Sequence, residues 1–369
     1  MNLLDQLPAE WDLGPSQPAF RRGQIAQWVF ERKADSFAAM SGRETSALVF
    51  GKFGPPAEVL ALRGLPLAEM APDRVRVRLR LSPINPADFN SIEGTYGVKP
   101  ELPAVAGLEG VGEVVEVGAS VTQLKAGDLV SLARPEGHWR GEWVGSSQGV
   151  SRFPAGLTVE QAAIFRINPA TAWCLLHEFI ALKPGEWVVQ NAATSEVGKA
   201  VIAIARHLGL RTLNLVRRES DIAKLKALGA DRVVLAEGAD AAAIRRQVGA
   251  PIGLGLNAVG GESAALVGKL LATGGVHVTY GAMGRQPLRI SNGALIFQNL
   301  SYRGFWITRW REAAERNRVA AMEQTLAAFF AGKLLKAAIE KSYPLADFAA
   351  ALAHAGQEGR SGKIAFRIE

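Results

Sequence analysis

The hydrophobic pattern of the chain changes twice along its length, and these changes divide it into regions. Residues 1–45 include the run QIAQWVFERKADSFAAM, whose apolar positions recur at helical spacing and predict a short helical N-terminal extension. Residues 46–164 carry short apolar runs separated by glycines and turn residues, such as GVGEVVEVG and KAGDLVSL. Short strands at this spacing predict a small barrel or sandwich.

Residues 165–307 show a different pattern, in which apolar strands alternate with helices. This alternation is typical of an α/β domain with a parallel, doubly wound sheet. After it, a helix is expected over residues 312–331, followed by strand-like pieces, and we expect residues 308–369 to return to the first domain. The expected strands of the α/β region are WVVQNAA, RTLNLVR, RVVLA, GLGLNAV, GGVHVTYG and LSYRGFW.

The junction between the first strand and the first helix of this region has the features of a dinucleotide site. A loop of small residues follows the strand, and backbone N–H groups at the start of the next helix can bind a pyrophosphate. The loop departs from the G-x-G-x-x-G pattern, because only Gly198 is retained, and we expect the Glu196 side chain to point to solvent. The residues expected to approach the cofactor here are Ala193, Thr194, Ser195, Val197 and Gly198.

The end of the next strand favours NADPH over NADH. An acidic residue at this point would bind the ribose 2′-hydroxyl of NAD, whereas arginine suits the 2′-phosphate of NADP. Arg217 and Arg218 stand there, with an ordinary pair of surface arginines as the alternative interpretation. Later strand ends should line the same site, at residues 257–261 and at Tyr280, Gly281, Met283, Phe305 and Trp306.

The run NPADFNSIEGTYG, residues 85–97, contains a candidate for acid chemistry. An Asn-Pro turn and a short helical pattern lead to Tyr96, which lies between Gly94 and Gly97. The glycines permit a tight backbone that presents the ring. A phenol hydroxyl can give a proton to a substrate that becomes negatively charged. A packing role for the ring is the alternative that the residues alone leave open.

Taken together, these runs resemble the medium-chain dehydrogenase/reductase superfamily, and within it the 2-enoyl thioester reductases of the mitochondrial trans-2-enoyl-CoA/ACP reductase type. The resemblance covers roughly residues 46–369 and implies a GroES-like β-barrel catalytic domain (46–164 and 308–369) and a Rossmann domain (165–307). The matching runs are NPADFNSIEGTYG, ELPAVAGLEGVGEVVEVG, INPATAW, VVQNAATSEVGKAV, LNLVRR, LNAVGG, VTYGAMGRQP and LIFQNLSYRGFW.

The resemblance also implies an activity, which is the NADPH-dependent reduction of trans-2-enoyl thioesters of CoA or acyl carrier protein. Hydride would reach the β-carbon and Tyr96 would give the proton to the α-carbon. A homodimer formed through the Rossmann domains is expected as well. The other implied site residues are Asn168 and Thr171 near the nicotinamide, Arg217 at the 2′-phosphate, and Phe305 and Trp306 beside the nicotinamide and acyl chain.

Other functions remain open at this stage. A quinone oxidoreductase uses the same fold and cofactor, although the SYRGFW run favours enoyl thioesters. A non-enzymatic protein that binds NADPH or RNA is permitted by the net charge of +7 and by residues 1–45. Within these, RRGQIAQWVFERKADSFAAM resembles the helical N-terminal segment of radical-SAM ribosomal RNA methyltransferases, but their cysteine motif is absent.

Metal chemistry is not expected. Zinc needs several N, S or O ligands, and zinc-dependent relatives supply a histidine from a G-H-E motif at which this chain has Leu108. Cys174 is the single cysteine. No ligand spacing is evident among the histidines, which are His138, His177, His207, His277 and His354.

The amino-acid composition limits where the protein is expected to act and which partners it is expected to bind. The 369 residues contain no apolar run of about 18 residues, so no membrane span is expected. The first twenty residues carry acidic but no basic side chains, unlike a secretory signal or a transit peptide. With one cysteine no disulfide can form within the chain, and we expect a reducing cytoplasm. The run RVRVRLRL, residues 74–81, is either a solvated strand face or a docking surface for phosphates or an acidic carrier protein.

Overall fold

The structure is a computed structural model that describes residues 40–368. The predicted N-terminal helix and the RNA-related resemblance therefore lie outside the described residues, apart from the last few positions. The chain forms two compact units. The first comprises residues up to Phe153 together with those from Ala338 onward, and the second is Pro154–Ala337.

The first unit consists mainly of short strands, in agreement with the pattern of short apolar runs in residues 46–164. Its short helices are Pro56–Val59 and Pro86–Glu93, and a 3₁₀ turn covers Ser147–Gly149. The strands are β1 (Met40–Phe50), β2 (Leu60–Ala68), β3 (Arg74–Pro83), β4 (Ala104–Val105), β5 (Val111–Val117), β6 (Leu129–Leu132), β7 (Glu142–Ser146) and β8 (Val150–Arg152).

The second unit alternates strands and helices. Its strands are β9 (Trp187–Gln190), β10 (Arg211–Val216), β11 (Arg232–Leu235), β12 (Ile252–Asn257), β13 (Val276–Thr279), β14 (Gln286–Leu288) and β15 (Ser301–Gly304). Its helices are Val159–Ala163, Asn168–His177, Glu196–His207, Ser220–Ala227, Ala241–Val248, Gly261–Leu270, Asn292–Ile296, Ile307–Ala313 and Arg316–Ala331.

The C-terminal residues return to the first unit, as the sequence predicts. They form β16 (Ile339–Tyr343), a 3₁₀ turn, the helix Phe348–Gly356 and β17 (Lys363–Arg367). Strand β17 pairs antiparallel with β3, in a sheet of order β16-β17-β3-β5-β6-β8 in which β7 also pairs with β3. A separate sheet has the order β2-β1-β4.

The second unit contains a sheet of order β11-β10-β9-β12-β13-β15, and every pairing in it is parallel. The strands expected from the sequence are therefore confirmed, and so is the α/β class. The chain crosses from β9 to β10 on one side and later to β12 on the other. Ligands of doubly wound sheets bind at such a switch point, beyond the carboxyl ends of the strands.

In strand β3, apolar residues and arginines alternate along the sequence and lie on opposite faces of the sheet. Its apolar residues are fully buried in the core, at Val75, Val77, Leu79 and Leu81. The arginines between them lie on the opposite face, because successive side chains of a strand point to opposite sides.

Those arginines bind neighbours within the same sheet. Glutamates on β5 and β7 neutralise most of their charge, which favours the solvated strand face over a docking surface for an acidic carrier protein. The contacts are Arg76–Glu116 at 2.8 Å, Arg78–Glu142 at 3.3 Å, Arg80–Glu113 at 3.2 Å and Arg74 to the carbonyl oxygen of Glu69 at 3.0 Å.

The boundaries of the units differ from those expected. Residues 40–45, placed in the helical extension, belong to β1, which pairs antiparallel with β2. The helix Arg316–Ala331 belongs to the second unit, so the return occurs at Ala338 and not at residue 308. Its apolar side packs on the helix Asn168–His177, where Phe329 lies 6.0 Å from Trp173 between ring centroids. The first unit also ends at Phe153, before the expected residue 164.

Over residues 40–368, each helix is too short or too polar to cross a bilayer.

Candidate active site

Tyr96 lies on a tight turn at the end of the helix Pro86–Glu93. Gly94 ends this helix in the left-handed conformation, with φ of 73°. A Cβ atom there would lie 2.7 Å from the Phe53 ring, so the position admits only glycine without rearrangement. The backbone N–H of Tyr96 donates to the carbonyl oxygen of Asn90 at 3.1 Å. The predicted helix and the role of Gly94 are thus confirmed, and the half-buried Tyr96 ring sits on a fixed backbone.

A buried polar network holds the other end of this helix. The Asp88 carboxylate, which is 1% exposed, accepts hydrogen bonds from the backbone N–H groups of Asn85 at 2.6 Å and Leu108 at 2.7 Å. The Asn85 amide donates to Glu109 at 3.0 Å and accepts from the Lys363 ammonium. The network joins the start of the helix to the loop containing Leu108 and to strand β17.

Burial raises the pKa of the Asp88 carboxyl to about 6. The hydrogen bonds from Asn85 and Leu108 and the charges of Lys363 and Arg134 oppose this rise. Asp88 escaped the sequence analysis, although an acidic residue three positions after Asn85 is a helix-start signal that could have found it.

The position of a zinc-binding histidine in zinc-dependent relatives is occupied by Leu108, whose backbone binds Asp88. The buried His138 ring is held by hydrogen-bond contacts: Nδ1 lies 3.1 Å from the Gly107 carbonyl oxygen, Nε2 accepts from the Leu132 N–H, and the Ser131 hydroxyl lies 3.1 Å from Nε2. In the described part of the chain, no group of three or more His, Cys, Asp or Glu side chains could hold a metal ion. The absence of a metal stays a prediction.

The predicted phosphate loop joins β9 to the helix Glu196–His207. Ser195 caps this helix, and its hydroxyl accepts from the Gly198 N–H at 3.1 Å. A Cβ at Gly198 would lie 2.6 Å from the Ala193 carbonyl oxygen and 2.7 Å from that of Ala192. Gly198 is therefore required for the close approach of helix and loop, which is the role of the last glycine in the dinucleotide motif. Ala193 and Val197 are buried, while Thr194 is half-buried.

The expectation for Glu196 is wrong. Its side chain is only 12% exposed and pairs with Lys199, one helical turn away, at 2.8 Å. Because Lys199 neutralises the carboxylate, Glu196 places less uncompensated negative charge beside the loop than the sequence indicates.

Two asparagines hold the carboxyl ends of the central strands together: Asn257, which the sequence places at the site, and Asn191, to which it assigned no role. The Asn191 amide donates to the Asn257 side-chain oxygen at 2.7 Å and to the Ser263 hydroxyl at 3.0 Å. Asn257 in turn donates to the Thr279 hydroxyl at 3.1 Å. The position of Asn191 directly after the buried strand β9 is the signal that could have found it. The two asparagines fix the rim of the predicted cofactor site.

The Tyr280 segment lies at the same rim. Burial raises the pKa of the Tyr280 phenol, and nearby Ser195 opposes the rise. The two hydroxyls do not meet hydrogen-bond geometry, and within residues 40–368 the buried Tyr280 hydroxyl has no hydrogen-bond partner. Gly281 packs against the Ala258 backbone, whereas the Met283 side chain is largely exposed.

Asn168 and Thr171 lie one turn apart on the helix Asn168–His177, and both are buried. The Asn168 amide nitrogen has no hydrogen-bond partner among the described residues. Phe305 and Trp306 follow β15 and are half-buried, with Phe305 packed edge-on against Phe179 at 5.8 Å between centroids.

Arg217 and Arg218 follow β10, as predicted, but differ in environment. Arg218 donates to the buried carboxylate of Asp221 at 3.0 Å. Arg217 is exposed. Of the two, Arg217 better fits a phosphate ligand.

The residues of the second unit fit a dinucleotide. Any side chain at Gly198 would fill the space between the helix start and the loop. Buried polar atoms of Asn168 and Tyr280 lack hydrogen-bond partners within the described chain. Buried polar groups are normally hydrogen-bonded, so both atoms are available to a ligand. Tyr96 belongs to the first unit and the predicted cofactor residues to the second.

Models of known protein families match both units. Residues 71–163 match the alcohol dehydrogenase GroES-like domain, and residues 197–328 match the zinc-binding dehydrogenase domain. The expected combination of a GroES-like domain with a Rossmann-type domain is thereby confirmed.

Curated relatives and solved structures are also similar. The human mitochondrial enoyl-[acyl-carrier-protein] reductase is 42% identical over 83% of this chain and 84% of its own length. A mutant enoyl thioester reductase from Candida tropicalis has a TM-score of 0.80 at 29% identity, covering 88% of this chain and 100% of that one. The Etr1p complex with NADP and crotonyl-CoA has a TM-score of 0.81 at 29% identity, with the same coverage.

These names contradict the expected cytoplasmic location, because the relatives are mitochondrial enzymes. The expectation relied on the first twenty residues, which carry no basic side chain, and on the lone cysteine. Cys174 is buried beside Met322, at 3.8 Å between sulfur atoms, and a buried structural thiol carries no information about compartment.

The similarity to these relatives extends through most of the chain, and the matched family models include parts of both units. Identity of 42% over 83% of the sequence is well above the level at which only a fold is shared. The chain belongs to the enoyl-[acyl-carrier-protein] reductase family of the medium-chain dehydrogenase/reductase superfamily.

Proposed function

We propose that this protein reduces trans-2-enoyl thioesters of CoA or acyl carrier protein to acyl thioesters, with NADPH as reductant. The observation that carries the proposal is a tyrosine on a rigid helix-end turn in a chain that also contains a glycine-cradled dinucleotide loop. The relatives named enoyl-[acyl-carrier-protein] reductase, and the NADP and crotonyl-CoA complex of Etr1p, support it.

The chemistry divides between the cofactor and the chain. NADPH, when bound, supplies the hydride that reduces the β-carbon. The Ser195–Gly198 turn would hold its pyrophosphate and Arg217 its 2′-phosphate, while Asn168 would contact the nicotinamide end. Tyr96 donates its phenolic proton to the α-carbon, so an O–H bond breaks as a C–H bond forms, and solvent then reprotonates the phenolate.

Steady-state assays with NADPH and crotonyl-CoA test this function. We expect saturable oxidation of NADPH with formation of butyryl-CoA, and a much smaller rate with NADH. A naphthoquinone assayed in parallel separates the reductase from a quinone oxidoreductase. Rapid reduction of the quinone with no turnover of crotonyl-CoA would reject the proposal.

The homodimer expected from the family resemblance remains a proposal, and an exposed apolar surface supports it. Strand β15 is an edge of the parallel sheet, and the segment 286–297 exposes several large apolar side chains. Phe297 is 83% exposed and Ile296 68% exposed, which is costly in water. A second copy of this chain would cover both the edge and the apolar side chains.

Light scattering coupled to size-exclusion chromatography tests the dimer. Phe297→Asp should shift the protein from a dimer toward a monomer at micromolar concentration, because a carboxylate would be buried at the contact. Leu228→Asp is the matched control, since Leu228 is also exposed but follows a helix packed near β11, at the other edge of the sheet. If both variants eluted at the same volume as the wild type, this surface would not be the dimer interface.

A further inference from the structure

The Tyr96 ring has a cationic neighbour that the proposed mechanism does not use. The Arg134 guanidinium carbon lies 5.5 Å from the centroid of the Tyr96 ring. This is within the distance at which a guanidinium is attracted to an aromatic face. Arg134 stands in the loop after β6, far from Tyr96 in sequence.

The backbone on both sides of this contact is fixed. Ala133 N–H donates to the Gly149 carbonyl oxygen at 2.8 Å, and Glu136 N–H donates to the Ala133 carbonyl oxygen at 3.0 Å. The Tyr96 N–H is bound to Asn90. The ring and the guanidinium are therefore held by separate anchored loops, and their contact limits the orientation of the ring.

Among the described residues, no ion pair neutralises the charge of Arg134. Three of the four arginines of β3 bind glutamate side chains directly, whereas no acidic side chain lies within 4.0 Å of Arg134 in the range 40–368. Its positive charge lowers the pKa of the buried Asp88 carboxyl, against the larger rise that burial causes. The same charge lies beside the hydroxyl-bearing ring of Tyr96.

We propose that Arg134 is a positioning residue that holds the Tyr96 ring and stabilises the negative charge that Tyr96 acquires as it gives up its proton. This role rests on the proposed reduction of enoyl thioesters. Phenol is neutral before proton transfer and phenolate after it, so a fixed cation beside the ring favours the transition state over the ground state. The effect should act on the chemical step whatever carrier the acyl group bears.

Kinetics of Arg134→Gln and Arg134→Lys at pH 8 test the role. This pH lies well above the pKa of about 6 of the Asp88 carboxyl in the wild type, and Arg134→Lys keeps the positive charge that lowers that pKa. For Arg134→Gln we expect kcat to fall about tenfold, which corresponds to about 1.4 kcal/mol, with the KM for NADPH unchanged. Arg134→Lys, which keeps a positive charge, should recover part of the loss.

The substrate series distinguishes positioning from carrier binding. Crotonyl-CoA carries phosphates and crotonyl-N-acetylcysteamine carries none, so a loss of kcat common to both supports a role at Tyr96. A rise confined to the KM of crotonyl-CoA would mean that Arg134 binds carrier phosphates, and would overturn the inference.

Lys99→Gln is the matched control. Lys99 is also an exposed cation near this turn, but it rests on the Phe53 ring at 5.5 Å and not on Tyr96. We expect its kcat to match the wild type. Equal losses in Lys99→Gln and Arg134→Gln would indicate a general charge effect and overturn the specific role. A wild-type enzyme inactive with both thioesters would instead reject the proposed function.

Discussion

Replacing Tyr96 with phenylalanine should lower kcat for crotonyl-CoA by about 10²–10⁴-fold, the usual contribution of a positioned general acid. The ring, its turn and its contact with Arg134 would remain, because only the hydroxyl is removed. The affinity for NADPH, measured by fluorescence titration, should stay near the wild-type value since the predicted cofactor residues lie in the other unit.

Tyr343→Phe is the matched control for this variant. Tyr343 is a half-buried tyrosine of the same unit, and its hydroxyl bonds to His354 at 2.9 Å. Losing that hydrogen bond should cost about 1 kcal/mol of stability and leave kcat unchanged. If Tyr96→Phe retained full turnover, another group would have to supply the proton, and the role of Arg134 would fall with it.

The sheet of the second unit was predictable because parallel strands are buried on both faces and therefore read as continuous apolar runs. The three strands WVVQ, RTLNLV and RVVL all begin where expected; RTLNLV and RVVL end one residue early, and WVVQ ends three residues early. The helix Arg316–Ala331 was also predicted, although it starts later because Ile307–Ala313 forms a helix of its own. Its assignment to a unit failed, since an amphipathic pattern identifies an apolar face but not the surface that covers it.

The candidate site was predictable where a residue has a local backbone task. Gly94 and Gly198 stand where a Cβ atom would meet a ring or a carbonyl oxygen, and both were identified from their places in turns. The partner of Glu196 was also readable, because Lys199 follows at helical spacing, yet the carboxylate was treated as isolated.

Contacts between distant segments could not be predicted in this way. Arg134 meets Tyr96, and Lys363 meets Asn85, only because separate loops and strands of the first unit come together in the fold. No periodicity or spacing in the sequence encodes these pairs. The same limit applies to Asp88, whose raised pKa arises from burial and not from its neighbours along the chain.

Replacing Arg217 with alanine should raise the KM for NADPH by about 10- to 100-fold, the loss expected for charge-assisted hydrogen bonds to a phosphate. The KM for NADH, which lacks the 2′-phosphate, should change little. The ratio of kcat/KM values for the two cofactors therefore reports the contact directly. Arg218 should contribute less, because its guanidinium is already bound to Asp221.

Arg211→Ala is the matched control, because Arg211 is an exposed arginine at the opposite end of the same strand, 5.9 Å from the Trp187 ring centroid. It removes the same charge from the unit without approaching the carboxyl end of β10, so its cofactor ratio should equal that of the wild type. Parallel weakening of NADPH and NADH in Arg217→Ala would show that this residue supports the fold of the site, and the 2′-phosphate would then need another ligand.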